Sequence, residues 1–171
     1  MNAGPKYFGK YRATVLNNLD PQSQGRIQVQ LADKYGMFPS TWAMPSFPFA
    51  GEAQSGAVAL PGVGSMVWVE FEAGDIDYPI WSGAFYSEQS GFPALALAGA
   101  SPVTPNIHFQ TTTGTSVTLS DNPAQQVMIK TVSGSLITIG ESGMVMSNGK
   151  GATIALTGPS VIINNGALTI T

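Results

Sequence analysis

Apolar and polar residues alternate with period two in several short runs, and nowhere along the chain do they recur at helical spacing. In the first half, Lys10 to Asn17 (KYRATVLN) is rich in β-formers and Arg26 to Leu31 (RIQVQL) alternates strictly. Ser65 to Glu72 (SMVWVEFE) alternates again, and Tyr78 to Tyr86 (YPIWSGAFY) closes the set. Between these runs lie turn and loop signals: Asp20 to Gly25 (DPQSQG), a long loop through Ala50 to Ala59, the lead-in Pro61-Gly62-Val63-Gly64, and Ala73 to Asp77. The pattern predicts about five antiparallel strands, enough for a small barrel of the OB type.

The second half is quasi-periodic. Turn signals at Gly114, Asp121-Asn122-Pro123, Ser133-Gly134, Gly140 to Gly143, Asn148-Gly149, Gly158-Pro159 and Asn164-Asn165-Gly166 separate short apolar runs (SVTLS, QVMIK, SLITIG, GMVMS, ATIALT, SVIIN, ALTIT). Each run has the length of one short strand, and regular spacing with glycine at the corners is a β-solenoid signal. These strands carry Val, Ile, Leu and Met but almost no aromatic rings, too little to fill a wide core alone. Their edges would be open and adhesive. Three identical chains, each supplying one face of a narrow prism, remove both problems.

Composition sharpens the division. Fifteen of the sixteen aromatic residues lie before Val103, leaving Phe109 alone after it. The only charges beyond that point are Asp121, Lys130, Glu141 and Lys150. Charged residues make up 10% of the chain, against about 25% in a typical soluble protein, so much of the surface is expected to meet protein. A net charge of -3, with seven Lys and Arg scattered singly, argues against nucleic acid, whose phosphates require clustered cations. The absence of cysteine excludes disulfides, thiolate metal sites and a cysteine nucleophile. No stretch approaches a membrane span, and the N-terminus shows no secretory signal.

Few residue sets hint at chemistry. Glu70 and Glu72 stand two apart on a strand, the kind of carboxylate pair used in glycoside hydrolysis, but no pocket-forming cluster accompanies them and a solvated strand face accounts for them better. Asp75 and Asp77 in GDIDYP superficially match the start of a calcium loop, yet the twelfth position is Tyr86 rather than Glu. A turn braced by aspartate side chains is the better account. His108 is the only histidine; three copies could converge on an axis to hold an ion, or it could face outward. Trp68, Tyr78, Trp81 and Tyr86 could stack bases as in some OB folds, but the basic groove is missing, and packing explains them better. No catalytic residue, cofactor or metal is expected, and the chain reads as non-enzymatic.

The stretch LPGVGSMVWVEFEAGDIDYPIWSGAFY, Leu60 to Tyr86, closely resembles the OB domain of baseplate spike proteins, which include phage baseplate assembly protein V and the VgrG spike of type VI secretion. The match rests on Pro61 and Gly64, the strand Val67 to Phe71, Gly74 and Asp75, Pro79 with Ile80, and Gly83, in that order and spacing. Upstream, Asp20, Gly25, Arg26 and Val29 fit the family's first hairpin. The resemblance implies an all-β homotrimer with an N-terminal arm (1–9), an OB-fold barrel (10–88), a linker (89–106) and an intertwined triple-stranded β-helix needle (107–171). It also implies a central spike of a contractile tail, phage or phage-like, assembled in the bacterial cytoplasm into a baseplate. When the tail contracts, the spike is pushed through the target cell envelope. Larger members carry a hub domain before the barrel and some carry a lysozyme insert; neither is present here, so a separate trimeric hub protein is implied. The His-x-His pair that binds iron at the tip of some phage spikes is also missing.

Ile154, Leu156, Val161, Ile163, Leu168 and Ile170 are expected to meet their symmetry copies along the threefold axis. The last strand, Ala167, Leu168, Thr169, Ile170 and Thr171, would leave a blunt apolar end. It is the expected docking surface for a small conical tip protein similar to the PAAR-repeat proteins. The rival expectation is a trimeric OB-domain adhesin or glycan-binding fibre, which calls for exposed aromatic platforms.

Overall fold

Period-two alternation places every second side chain on one face of a strand, and in the first half those side chains make the core. The computed structural model describes residues 4–101 and 106–170, without the side chain of Thr169. The start of the arm (1–3), part of the linker (102–105) and Thr171 lie outside the described residues. The chain divides into two units, Met1–Gly91 and Phe92–Thr171.

In the first unit, β1 (Tyr11–Asn17), β2 (Gln28–Gln30), β3 (Met44–Pro45), β4 (Met66–Phe71) and β5 (Pro79–Phe85) form one sheet in the order β2-β1-β4-β5-β3. All neighbours are antiparallel except β3 and β5, which are parallel. Register shifts between Val15 and Asn17, and between Val67 and Val69, are bulges that increase local twist and help the sheet curl. The curl is tied back on itself: Ile27 and Ala43 exchange backbone hydrogen bonds of 3.2 and 2.8 Å, and the Val29 amide donates to the Ser40 hydroxyl. Ala13, Val15, Ile27, Val29, Val67, Val69, Phe71 and Trp81 fill the interior. Among the described residues this unit also makes one α-helical turn, α1 (Ala32–Tyr35). Four residues are too few to display a helical period, so the pattern could not announce it.

In the second unit, eight strands form one antiparallel meander, β6 (Ile107–Gln110), β7 (Ser116–Leu119), β8 (Val127–Lys130), β9 (Leu136–Gly140), β10 (Gly143–Ser147), β11 (Thr153–Thr157), β12 (Ser160–Ile163) and β13 (Leu168–Ile170), each paired with the next. Strands β7 to β12 find both ladder partners within the same chain, and β6 and β13 are the free edges. The turns on one side repeat a local device. Thr111 and Thr131 each accept, through Oγ1, the amide of the residue four positions on, at 3.1 Å. Asn148 does the same for Ala152 at 3.1 Å. These turns also link to one another: the Ser135 hydroxyl donates to the Asn148 carbonyl, and the Thr153 amide donates to Asn164 Oδ1.

Candidate functional site: an assembly surface

Directly paired residues of neighbouring strands point to the same side of a sheet, so the register assigns the faces of the second unit. One row runs Ile107, Leu119, Val127, Ile139, Met144, Leu156, Val161, Ile170. A second, two residues along each strand, runs Phe109, Val117, Ile129, Ile137, Met146, Ile154, Ile163, Leu168. Both rows are apolar at every position, and they share one face. The opposite face is mixed: His108, Thr118, Met128, Thr138, Val145, Ala155 and Ile162 form its central row, and Ser116, Lys130 and Ser147 lie beside it.

The apolar face is uncovered. Phe109 is 68% exposed, Ile170 58% and Leu168 52%. Among the described residues of this unit, Met128 is the only buried hydrophobic side chain. Covering the open part of each side chain is worth about 1 kcal/mol on the usual transfer scale. Two rows of eight then amount to the order of 10 kcal/mol per copy, comparable with the net stability of a whole domain. A sheet with such a face and no core of its own requires a partner.

The predicted tip residues fall at the last free edge. Ala167 closes a turn after Asn164–Gly166. Leu168 pairs with Ile163, Thr169 with Ile162, and Ile170 with Val161. Leu168 and Ile170 therefore end the two apolar rows, while Thr171 lies outside the described residues. The six residues expected on the axis, Ile154, Leu156, Val161, Ile163, Leu168 and Ile170, all lie on the apolar face.

The structure ties the other candidates into local packing. Glu70 is ion-paired with Lys10 and accepts the Ser82 hydroxyl at 3.2 Å; the Lys10 ammonium holds its carboxyl below the usual range. Glu72 sits beyond the strand in the following turn, so the two carboxylates do not share a strand face. Asp75 Oδ1 accepts the Asp77 amide at 3.1 Å, the predicted aspartate-braced turn. His108 lies on the mixed face, with Nδ1 at 2.7 Å from Thr118 Oγ1 and Nε2 at 3.2 Å from Gln110 Oε1. No three acidic, histidine or cysteine residues cluster for a metal among the described residues. Trp81 is buried and donates to the Gly25 carbonyl. Trp68 stacks on Phe85 at 4.7 Å with the Arg12 guanidinium 5.5 Å from its ring, so its face is occupied within the chain.

The hairpin residues Asp20 and Arg26 do more than their sequence positions announce. The Asp20 carboxylate accepts the amides of Gln22, Gln24 and Arg26 and a guanidinium contact of 2.6 Å. Arg26 holds that carboxyl well below the ordinary range, and Asp20 in turn raises Arg26. Burial, followed by the nearby charge of Asp77, pushes the Tyr35 phenol up to about 12, and its hydroxyl donates to the Ile76 carbonyl at 2.5 Å.

A curled OB-type sheet followed by a sheet with one unpartnered apolar face is the frame of a structural assembly protein. Two family models match: the type VI secretion system/phage-baseplate injector OB domain over residues 11–86, and the phage baseplate V C-terminal trimerisation domain over residues 106–169. The chain belongs to the phage baseplate V family. It is a non-enzymatic, homotrimeric structural component of a phage or injection-system baseplate. No curated protein matches it.

Proposed function

We propose that three copies form the central spike of a contractile tail and that contraction drives this spike through the target envelope. The observation that carries this reading is the uniformly apolar face of the second unit, open on a single chain. Three such faces turned toward a common axis make a dry core, and the mixed, nearly uncharged faces turn outward. Eight strands stacked across the axis at about 4.8 Å each give a rod segment of roughly 34 Å. From β7 to β12 its backbone ladders are already paired on both sides within each copy, which makes it stiff.

The N-terminal barrel, residues 10–88, serves as a collar that receives a separate trimeric hub protein. On the last strand of the second unit, Ala167 to Thr171 receive a PAAR-like tip protein. The free edge of β13 and the row ends Leu168 and Ile170 support that assignment, because an unpaired strand edge beside apolar side chains is a template for association. Deleting Ala167 to Thr171 is expected to abolish co-purification of a co-encoded PAAR-repeat protein while light scattering still reports a trimer. Unchanged co-purification sinks the tip assignment.

A further inference from the structure

An asparagine followed by glycine carries the most reactive side-chain amide in a protein. The nitrogen of the following residue attacks the amide carbon, and a glycine has no side chain to stand in the way. Only two asparagines of the chain precede glycine, Asn148 and Asn165. Both lie in exposed turns, so water reaches both. We infer that the Asn165-Gly166 step is a self-modifying site, where the folded protein converts asparagine to aspartate and isoaspartate, while the turns around Asn148-Gly149 hold that step unreactive.

The two steps differ in restraint. Asn148 Oδ1 accepts the amides of Lys150 at 2.8 Å and Ala152 at 3.1 Å. The Gly149 amide, which would have to attack, donates to Ser147 Oγ at 3.1 Å. The Asn148 carbonyl accepts the Ser135 hydroxyl at 3.2 Å. Gly149 is also wedged against the neighbouring turn: a Cβ on it would lie 2.6 Å from the Gly134 carbonyl carbon. Its nitrogen cannot swing toward the Asn148 side chain without breaking these contacts. At the other step, the side chain used by the fold is that of Asn164, whose Oδ1 accepts the Thr153 amide at 3.0 Å. The Asn165 side chain makes no hydrogen bond among the described residues. Apart from its chain neighbours, no heavy atom stands within 4 Å of where a Cβ on Gly166 would lie. Asn164, Asn165 and Gly166 have φ of +49, +55 and +102, and the Ala167 amide closes the turn on the Asn164 carbonyl at 3.3 Å. A turn held this loosely opens at small cost. Opening lets the Asn165 Cα–C bond rotate and carry the glycine nitrogen to Cγ.

The Gly166 nitrogen gives up its proton to base and bonds to Asn165 Cγ. The bond from Cγ to the side-chain nitrogen breaks, and that nitrogen takes up a proton and leaves as ammonia. Water then opens the cyclic imide at either carbonyl. One opening gives aspartate; the other gives isoaspartate, in which the main chain runs through Cγ. Either product adds a negative charge to a stretch whose only charge after Glu141 is Lys150. Isoaspartate also adds one carbon to the main chain of the turn that sets Leu168 opposite Ile163. The pairing of the edge strand β13 therefore weakens with age.

The full chain is incubated in warm, mildly alkaline buffer, once folded and once in denaturant. Peptide mapping by mass spectrometry follows both sites, and an isoaspartyl methyltransferase reports isoaspartate. In the folded protein the Asn165 peptide is expected to gain one mass unit and to accept methyl groups, with the Asn148 peptide slower by at least about tenfold. In denaturant the two sites are expected to react at similar rates. A folded chain in which Asn165 stays unmodified, or in which both sites react equally, would overturn the inference. Asn148 lagging as far behind in denaturant would overturn it too, by tracing the difference to local sequence. After ageing, hydrogen exchange of the β13 amides is expected to quicken in the natural chain and to stay unchanged in Asn165→Ser. Unchanged exchange in both, with Asn165 modified, would overturn the weakening of β13.

Discussion

At the scale of single residues, Asp20 is the side chain that holds the first hairpin turn together. Its two oxygens organise the turn from Gln22 to Arg26, accepting three amides as well as the Arg26 guanidinium. Arg26 also lies 5.6 Å over the Trp42 ring, which couples the turn to the segment leading into β3. The folded-state pKa of Asp20 is depressed below its ordinary 3.8. Its stabilisation is therefore fully present above about pH 5 and fades as pH falls through 4 and below, where the unfolded chain takes up the proton first. Asp20→Asn is expected to lower the thermal midpoint at pH 7 and to flatten its fall between pH 5 and 3. Thermal melts of both proteins across that range check it; parallel curves would show that Asp20 is not the titrating group. The hairpin sequence DPQSQGR marked a turn, but its buttressing is a three-dimensional matter. Composition cannot say that one carboxylate serves four donors.

Elements in the second unit depend on how closely successive hairpins stack. Gly143 opens β10 at φ +136, and a Cβ there would lie 1.9 Å from the Leu156 carbonyl oxygen of β11. Gly143→Ala therefore combines a left-handed backbone with a clash against a main-chain atom that cannot move without breaking its ladder. It is expected to cost at least about 2 kcal/mol of stability, read as a lower denaturation midpoint of the trimer. By contrast, Gly114→Ala meets open space and carries only the backbone penalty of about 1 kcal/mol. Equal losses from the two substitutions would show that β10 and β11 do not pack as closely as the register implies. The strand runs were legible because each is bounded by glycine, proline or asparagine. Their antiparallel pairing was less so, although it leaves a trace: Val127, Met144 and Val161, like Ile129, Met146 and Ile163, recur every 17 residues on alternate strands. The longer turn after β7 breaks that period and hides it from a reading by turn spacing alone.

The whole molecule is governed by the contrast between its two units. The first buries Val15, Ile27, Val29, Val67 and Val69 completely and contains its own core. The second leaves its apolar rows open, so its stability and its oligomeric state are linked by mass action. A charge placed in those rows should act on assembly before it acts on the barrel. Ile154→Asp brings three carboxylates toward the common axis, each without a partner, and such unpaired buried charges are costly. It is expected to convert the trimer to monomer in light scattering while the near-ultraviolet signal of the buried Trp81 persists. A trimer that tolerates Ile154→Asp would place the apolar face outside the interface.

Alternation, turn residues and the fall in charge and aromatic content beyond Val103 determined from the sequence alone that the chain is all-β, that its halves differ in kind, and that the second half needs other copies of itself. Those are local or additive properties, carried by each residue whatever it touches. Only the tertiary structure decided which alternate positions share a face, because facing depends on register, and register depends on turn lengths that a linear pattern does not reveal. It also decided that Glu70 belongs to Lys10 rather than to Glu72, and that His108 sits with Thr118 on the mixed face. The same register placed Leu168 and Ile170 at the ends of two unbroken apolar rows, turning six scattered aliphatic residues near the C-terminus into one continuous surface.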